Sequence, residues 1–117
     1  MTAKSIHHIN FVVHDLDEAM PRFEQRLGLA PFEVVEHAPR GARVARSRLG
    51  DAWFVLVSPC DPGSVPGRYL EEHGEGFFLL SLGVDEIDSP RSGILDWQVE
   101  DLGELHGALF QFTKDSG

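Results

Sequence analysis

The chain has 117 residues, 42% of them hydrophobic and 25% charged, with a formal net charge of −9; this suits one small globular domain with one core. The acidic balance argues against nucleic acid and anionic membranes as partners, because both demand a basic footprint, but it leaves room for a small ligand met by local arginines. The polar N-terminus has no apolar signal region, and no apolar run nears the ~18 residues of a membrane span, so a cytoplasmic protein is expected.

Ile6 to Val13 alternate. Ile9, Phe11 and Val13 share one face, and His8, Asn10 and Val12 the other, the period of a strand with one apolar and one semi-polar side. Asp15, with Glu18 three residues on, has the form of a capping box. Leu16, Ala19, Met20, Phe23 and Leu27 then recur at helical spacing as far as a stop at Gly28. Pro21 is awkward in a helix interior and shifts the expected start of the regular helix towards Glu18. Residues 32–37 and 43–49 read as strands joined by a turn at Pro39-Arg40-Gly41. A third strand, 52–57, follows Gly50-Asp51 and is apolar on both faces, which predicts cover on both sides. The first half is therefore β-α-β-β-β.

A loop rich in Pro, Gly and Ser runs from Ser58 to Gly67. It holds the one cysteine, Cys60, so no intrachain disulfide forms. Asp61 beside it opposes thiolate formation, and Cys60 reads as a reduced loop thiol. A short helix is expected over 68–73 and a strand over 76–84, with Phe78, Leu80, Leu82 and Val84 on one face and Leu79, Ser81 and Gly83 on the other. Asp85 to Asp88 open like a second helix, but Ser89-Pro90-Arg91 stop it. Strands over 94–99 and 108–113 finish the chain, and the second half reads β-(no helix)-β-β.

His8 to Val13 followed by Asp15 to Ala19, then Leu27-Gly28-Leu29, Leu49-Gly50-Asp51, Ser58-Pro59 and the run Tyr69 to Gly76 together resemble the vicinal oxygen chelate superfamily. The similarity is nearest to its methylmalonyl-CoA epimerase and lactoylglutathione lyase-like branch. It covers residues 6–87 well and the tail loosely. The resemblance implies an α+β fold of paired βαβββ modules forming a curled sheet round a cavity, here as a single domain over 1–117. Module 1 would span about 6–58, a linker 59–75 and module 2 about 76–113. It also implies a divalent metal held by four strand residues, which polarises two neighbouring substrate oxygens and stabilises an enolate.

Carried over position by position, the metal ligands fall on His8, Val55, Leu79 and Gln111. Two of these are aliphatic, and a carboxylate has become an amide. His8 and Gln111 alone are neutral and too few for firm binding, so no cofactor is expected and any divalent metal would be weak. His7-His8 as a metal pair is set aside, because neighbours on a regular strand face opposite ways. His14, His37, His73 and His106 read as exposed. Arg46 and Arg48 share a strand face, with Arg43 and Arg40 nearby. They read either as a charged strand edge or as an anion clamp. Trp53 is a candidate to stack on a planar ligand or to pack in the core.

The family's second helix has no counterpart after Asp88. Either it is truly deleted, which would expose Phe78, Leu80 and Leu82, or a segment of the protein lies outside these 117 residues. The second is favoured because a small domain cannot easily forgo that burial, and a chain mass matching 117 residues would end it. Two functions follow from the resemblance. One is a glyoxalase/epimerase-like lyase or isomerase acting on a small carbonyl or acyl-CoA-type molecule, with His8 as acid/base and Gln111 orienting the substrate oxygen. The other is a non-catalytic binding protein of the bleomycin-resistance type, whose ligand is a drug or metabolite. Either would be a homodimer, with Asn10, Trp53, Val55, Leu79, Ser81, Arg46 and Arg48 at the ligand.

Overall fold

The computed structural model describes residues 2–37 and 42–115; the expected turn Pro39-Arg40-Gly41 lies outside them. In chain order the elements are β1 (Ser5–Val12), α1 (Leu16–Leu27), β2 (Glu33–His37), β3 (Ala42–Leu49), β4 (Ala52–Pro59), α2 (Val65–His73), β5 (Gly76–Val84), β6 (Arg91–Ser92), β7 (Gln98–Leu105) and β8 (Ala108–Lys114). The strands form one curled sheet in the order β2-β3-β4-β1-β5-β8-β7-β6. Its two halves are alike. β1 pairs in parallel with β4 as β5 does with β8, and β1 meets β5 antiparallel at the centre.

α1 forms where the apolar spacing puts it. Asp15 caps it by accepting from the Glu18 amide at 3.2 Å, and Gly28 ends it in the left-handed conformation at φ 68°. The helix begins at Leu16, earlier than Pro21 suggests. Pro21 sits on the exposed side and removes only the bond that the Asp17 carbonyl would accept. Leu16 and Ala19 bury against Val13, Ala45, Phe54 and Leu56. Phe11 stacks on Phe54 at 5.1 Å and Phe23 closes on both. This is the convex face of the first module. Val55 and Val57 turn the other way, so β4 is indeed covered on both sides.

α2 begins at Val65, three residues before the expected start. Ser64 caps it by accepting from the Gly67 amide, and Pro66 falls in the first turn, where a missing N–H is harmless.

The second module departs more. A register shift between Asn10 and Phe11 makes Phe78 the extra residue of a β-bulge. A bulge puts two successive side chains on one face. Phe78 therefore joins Leu79 on the concave side, against Tyr69, and leaves the face of Leu80 and Leu82. Phe77 packs on the convex side against Phe11 at 6.0 Å. No helix covers that face among the described residues, and Ile6 and Phe77 remain 48% and 41% exposed. The fourth strand of the module does exist, as the two residues of β6.

The strand expected over 94–99 is confined to its last two residues. Ile94–Asp96 instead form a tight turn in which Leu95 and Asp96 both take φ 58°. Gly93 donates to the Trp97 carbonyl at 2.6 Å, and Trp97 donates to the Ile94 carbonyl at 3.2 Å. The reason is packing. Ile94, Leu95 and Trp97 all press on the same concave cluster of Val44, Val55 and Val57, and an alternating strand cannot aim all three that way.

Candidate functional site

Two rows of register cross the concave face. Arg48, Trp53, His8, Ser81 and Gln111 lie side by side on β3, β4, β1, β5 and β8. Arg46, Val55, Asn10, Leu79 and Leu109 form the next row. Each residue expected at the metal or the ligand thus lies in one of two adjacent rows. The strap 93–97 crosses these rows and divides the face in two.

Under the strap the face is sealed. The Trp97 ring lies 4.6 Å from the His8 ring and 4.8 Å from that of His7. His8 is fully buried, and its Nε2 has no partner among the described residues. Burial above all, and then the charge of a protonated His7, push its pKa down to about 3. His8 is therefore a neutral imidazole at neutral pH. The two histidines do not point apart. A register shift at Ile6/His8 bulges β1 at this point, and the two Nδ1 atoms sit 2.9 Å apart. Desolvation also lowers the His7 pKa, more than Asp115 raises it.

The arginines are bound up in the same cluster. The Arg46 guanidinium lies 4.1 Å over Trp53 and 5.9 Å from Trp97, and it meets Glu33 at 3.5 Å. Arg48 lies 4.9 Å over Trp53 and donates to the Gly50 carbonyl. Trp53 thus stacks on two guanidinium groups. Arg40 lies outside the described residues. Ser81 is buried, with its hydroxyl shared between Thr113 Oγ1 and the Gln111 carbonyl.

Beyond the strap the face opens into a cavity of about 760 Å³. Leu79, Leu109 and Phe78 form its floor, Val65 and Pro66 of α2 one wall, and Ile94 of the strap the other. Asn10 and Gln111 reach it from the sheet. The Gln111 amide donates to Asp101 Oδ1 at 3.0 Å. Arg91 clamps the same carboxylate with two bonds, at 2.6 and 2.9 Å. Asn10 is 5% exposed, and its Oδ1 has no partner among the described residues.

Trp97, Arg91 and Asp101 went unread in the sequence. Reading 94–99 as strand hid Trp97. A register shift between Asp101 and Gly103 sets Asp101 opposite Gln111, and such bulges leave little trace in a single sequence.

Residues 7–100 match the family described as the glyoxalase/bleomycin resistance protein/dioxygenase superfamily. The chain belongs to that superfamily. A search of curated proteins finds no sequence match. Among solved structures, a variant of Streptomyces coelicolor methylmalonyl-CoA epimerase bound to 2-nitronate-propionyl-CoA is similar with TM-score 0.86 and 21% identity, covering 99% of this chain and 100% of that one. Methylmalonyl-CoA epimerase from Mycobacterium tuberculosis gives 0.82 and 20%, covering 98% and 90%. A hypothetical protein from Bacillus halodurans C-125 gives 0.85 and 20%, covering 100% and 97%. At these identities the likeness speaks for the shared α+β fold.

The four positions that the superfamily resemblance assigns to a divalent metal do not fit one here. Val55 and Leu79 offer no donor atom. The Gln111 nitrogen is turned to Asp101, and His8 lies under an indole. No cluster of three or more His, Cys, Asp or Glu suited to a metal occurs among the described residues. The four also part company. His8 and Val55 sit beneath the strap, while Leu79 and Gln111 line the open cavity.

Proposed function

We propose that this superfamily member binds a small, mostly apolar organic molecule in the cavity between α2, β5, β8 and the strap, and does so without a divalent metal. The observation that carries the reading is Trp97 packed over His8, beside an open apolar cavity of a size that takes whole small-molecule ligands. Where the family chelates, this chain packs. The homodimer expected from the resemblance and the cytoplasmic location expected from the sequence belong to the same proposal. No helix among the described residues is long and apolar enough to cross a membrane, and sedimentation of the purified chain tests the dimer.

The fold likeness to epimerases favours a second reading, turnover or binding of an acyl-CoA-type molecule. In that reading Gln111 faces the acyl group and His8 carries the proton. A conjugate acid near pKa 3 makes His8 a feeble base at neutral pH, which places the weight on binding.

Titration calorimetry with Zn²⁺, Ni²⁺ and Mn²⁺ is expected to show no stoichiometric uptake. Thermal melting against aromatic drugs, glutathione adducts and acyl-CoAs is expected to find stabilising ligands among the apolar compounds. Val65→Trp, at a 59% exposed position on the cavity rim, should abolish that stabilisation and leave the melting temperature of the free protein near its starting value. Stoichiometric metal uptake, or ligand shifts untouched by Val65→Trp, would overturn the proposal. An epimerase or lyase activity lost in His8→Ala would install the second reading.

A further inference from the structure

The polar groups of the cavity define what the seated part of the ligand must carry. Asp101 is neutralised by the two-bond clamp of Arg91 and by the Gln111 amide nitrogen. An anion entering here meets a carboxylate, and a cation meets a guanidinium, each already satisfied by the other. A charged ligand group must compete with this ion pair to offset its own desolvation. The apolar floor adds to that penalty.

Two amide groups remain. The Asn10 side chain is 5% exposed and makes no hydrogen bond among the described residues, and its Oδ1 is buried without a partner. Gln111 spends its nitrogen on Asp101, and its Oε1 receives no bond among the described residues. Both residues line the cavity, on β1 and β8 with the floor residue Leu79 of β5 between those strands. With Asn10 Oδ1 buried, the Asn10 nitrogen and Gln111 Oε1 are the cavity's amide atoms without a protein partner among the described residues. Sealing such atoms under a ligand that offers them no partner is costly. A donor from one side chain and an acceptor from another are met together by the N–H and carbonyl of an amide edge.

Resting on the small-molecule reading above, we infer that the ligand presents an uncharged amide, lactam or imide edge between the Asn10 nitrogen and Gln111 Oε1, on an apolar ring body lying over Leu79 and Phe78. The ligand carbonyl accepts from the Asn10 nitrogen, and its N–H donates to Gln111 Oε1.

Matched probes test this. The protein is titrated by fluorescence and calorimetry with 2-quinolone, oxindole and phthalimide, with the N-methyl form of each, and with quinoline-2-carboxylate. The N–H compounds should bind about tenfold more tightly than their N-methyl partners, and the carboxylate should bind worst. In Gln111→Met the N–H and N-methyl forms should bind alike, and in Asn10→Leu both forms should bind more weakly, with circular dichroism and the melting curve reporting that each variant is folded. If a variant does not fold, the probe ratios on the unaltered protein decide. Equal binding of N–H and N-methyl forms to the unaltered protein overturns the amide inference and leaves the cavity reading standing. Tightest binding by the carboxylate overturns the uncharged edge. No binding by any probe, with no stabilising ligand in the thermal screen, removes the cavity reading and this inference with it.

Discussion

The two ends of the concave face are built from the same two rows of strand residues and serve opposite ends. At the end under the strap, His8 and Val55 are fully buried beneath Trp97, Ile94 and Leu95. At the other end, Asn10, Leu79 and Gln111 border open space. The difference is made by five residues that cross the sheet. A cavity in this fold is thus set less by the strands that line it than by what the loop between β6 and β7 lays upon them. Filling one end dries it and removes its chemistry, and it leaves the polar groups of the other end as those a ligand can meet.

The strongest way to break this contrast is Trp97→Ala. The indole lies tilted over His8, meets His7 edge-on and borders the Arg46 guanidinium. Deleting it should destabilise the fold by about 3 kcal/mol, read from urea unfolding. It should also let water reach His8, so that its imidazole titrates closer to the ordinary 6.5, followed by proton NMR. An unchanged His8 titration would mean that the strap does not seal this end.

The second test uses pH. His8 is held at about 3 in the folded chain by burial, against an ordinary value of 6.5 in the unfolded one. Between these values the unfolded chain takes up a proton that the folded chain refuses. The stability from a neutral His8 is therefore complete above pH 6.5 and is lost as pH falls towards 3, by up to about 1.4 kcal/mol per pH unit. His8→Leu removes the group, and its unfolding free energy should fall less steeply between pH 6.5 and 4.5. His7, lowered by its own partial burial, keeps a smaller slope of the same sign. Parallel curves for the two proteins would deny His8 its buried, neutral state.

These tests also mark how far the sequence could be read. Period-2 alternation in β1 and the Asp15 and Gly28 signals of α1 are local, so the elements of the first module were legible in order, with His7 and the helix start as the exceptions. His8, Asn10, Val55, Leu79 and Gln111 fell on one face because parity survives wherever strands run regularly. Parity fails at bulges, and bulges at His7 and Phe78 moved one side chain each to the concave face. That is why the histidine pair and the face of Phe78 were misplaced. The strap was least legible. Nothing in Ile94, Leu95 and Trp97 as letters distinguishes a strand from a turn whose apolar residues all need the same side.

The finest distinction is what holds the strap in place, its backbone or its packing. Leu95 and Asp96 share φ 58°, a conformation that disfavours most side chains by roughly 1–2 kcal/mol but that Asp tolerates better. Glycine relieves this strain and adds unfolded-chain entropy of about 0.4–1 kcal/mol against the fold. At exposed Asp96 the two effects nearly cancel, and Asp96→Gly should change stability by no more than about 0.5 kcal/mol. At Leu95 the backbone relief is larger, but the side chain packs against the Val44–Val57 cluster. Leu95→Gly should therefore cost about 1–2 kcal/mol in net terms. If both variants instead stabilise the protein, backbone strain outweighs the packing of Leu95. The strap would then be a closed state maintained by Trp97 and Ile94 alone, and the boundary between the sealed and open ends would move with whatever binds beside it.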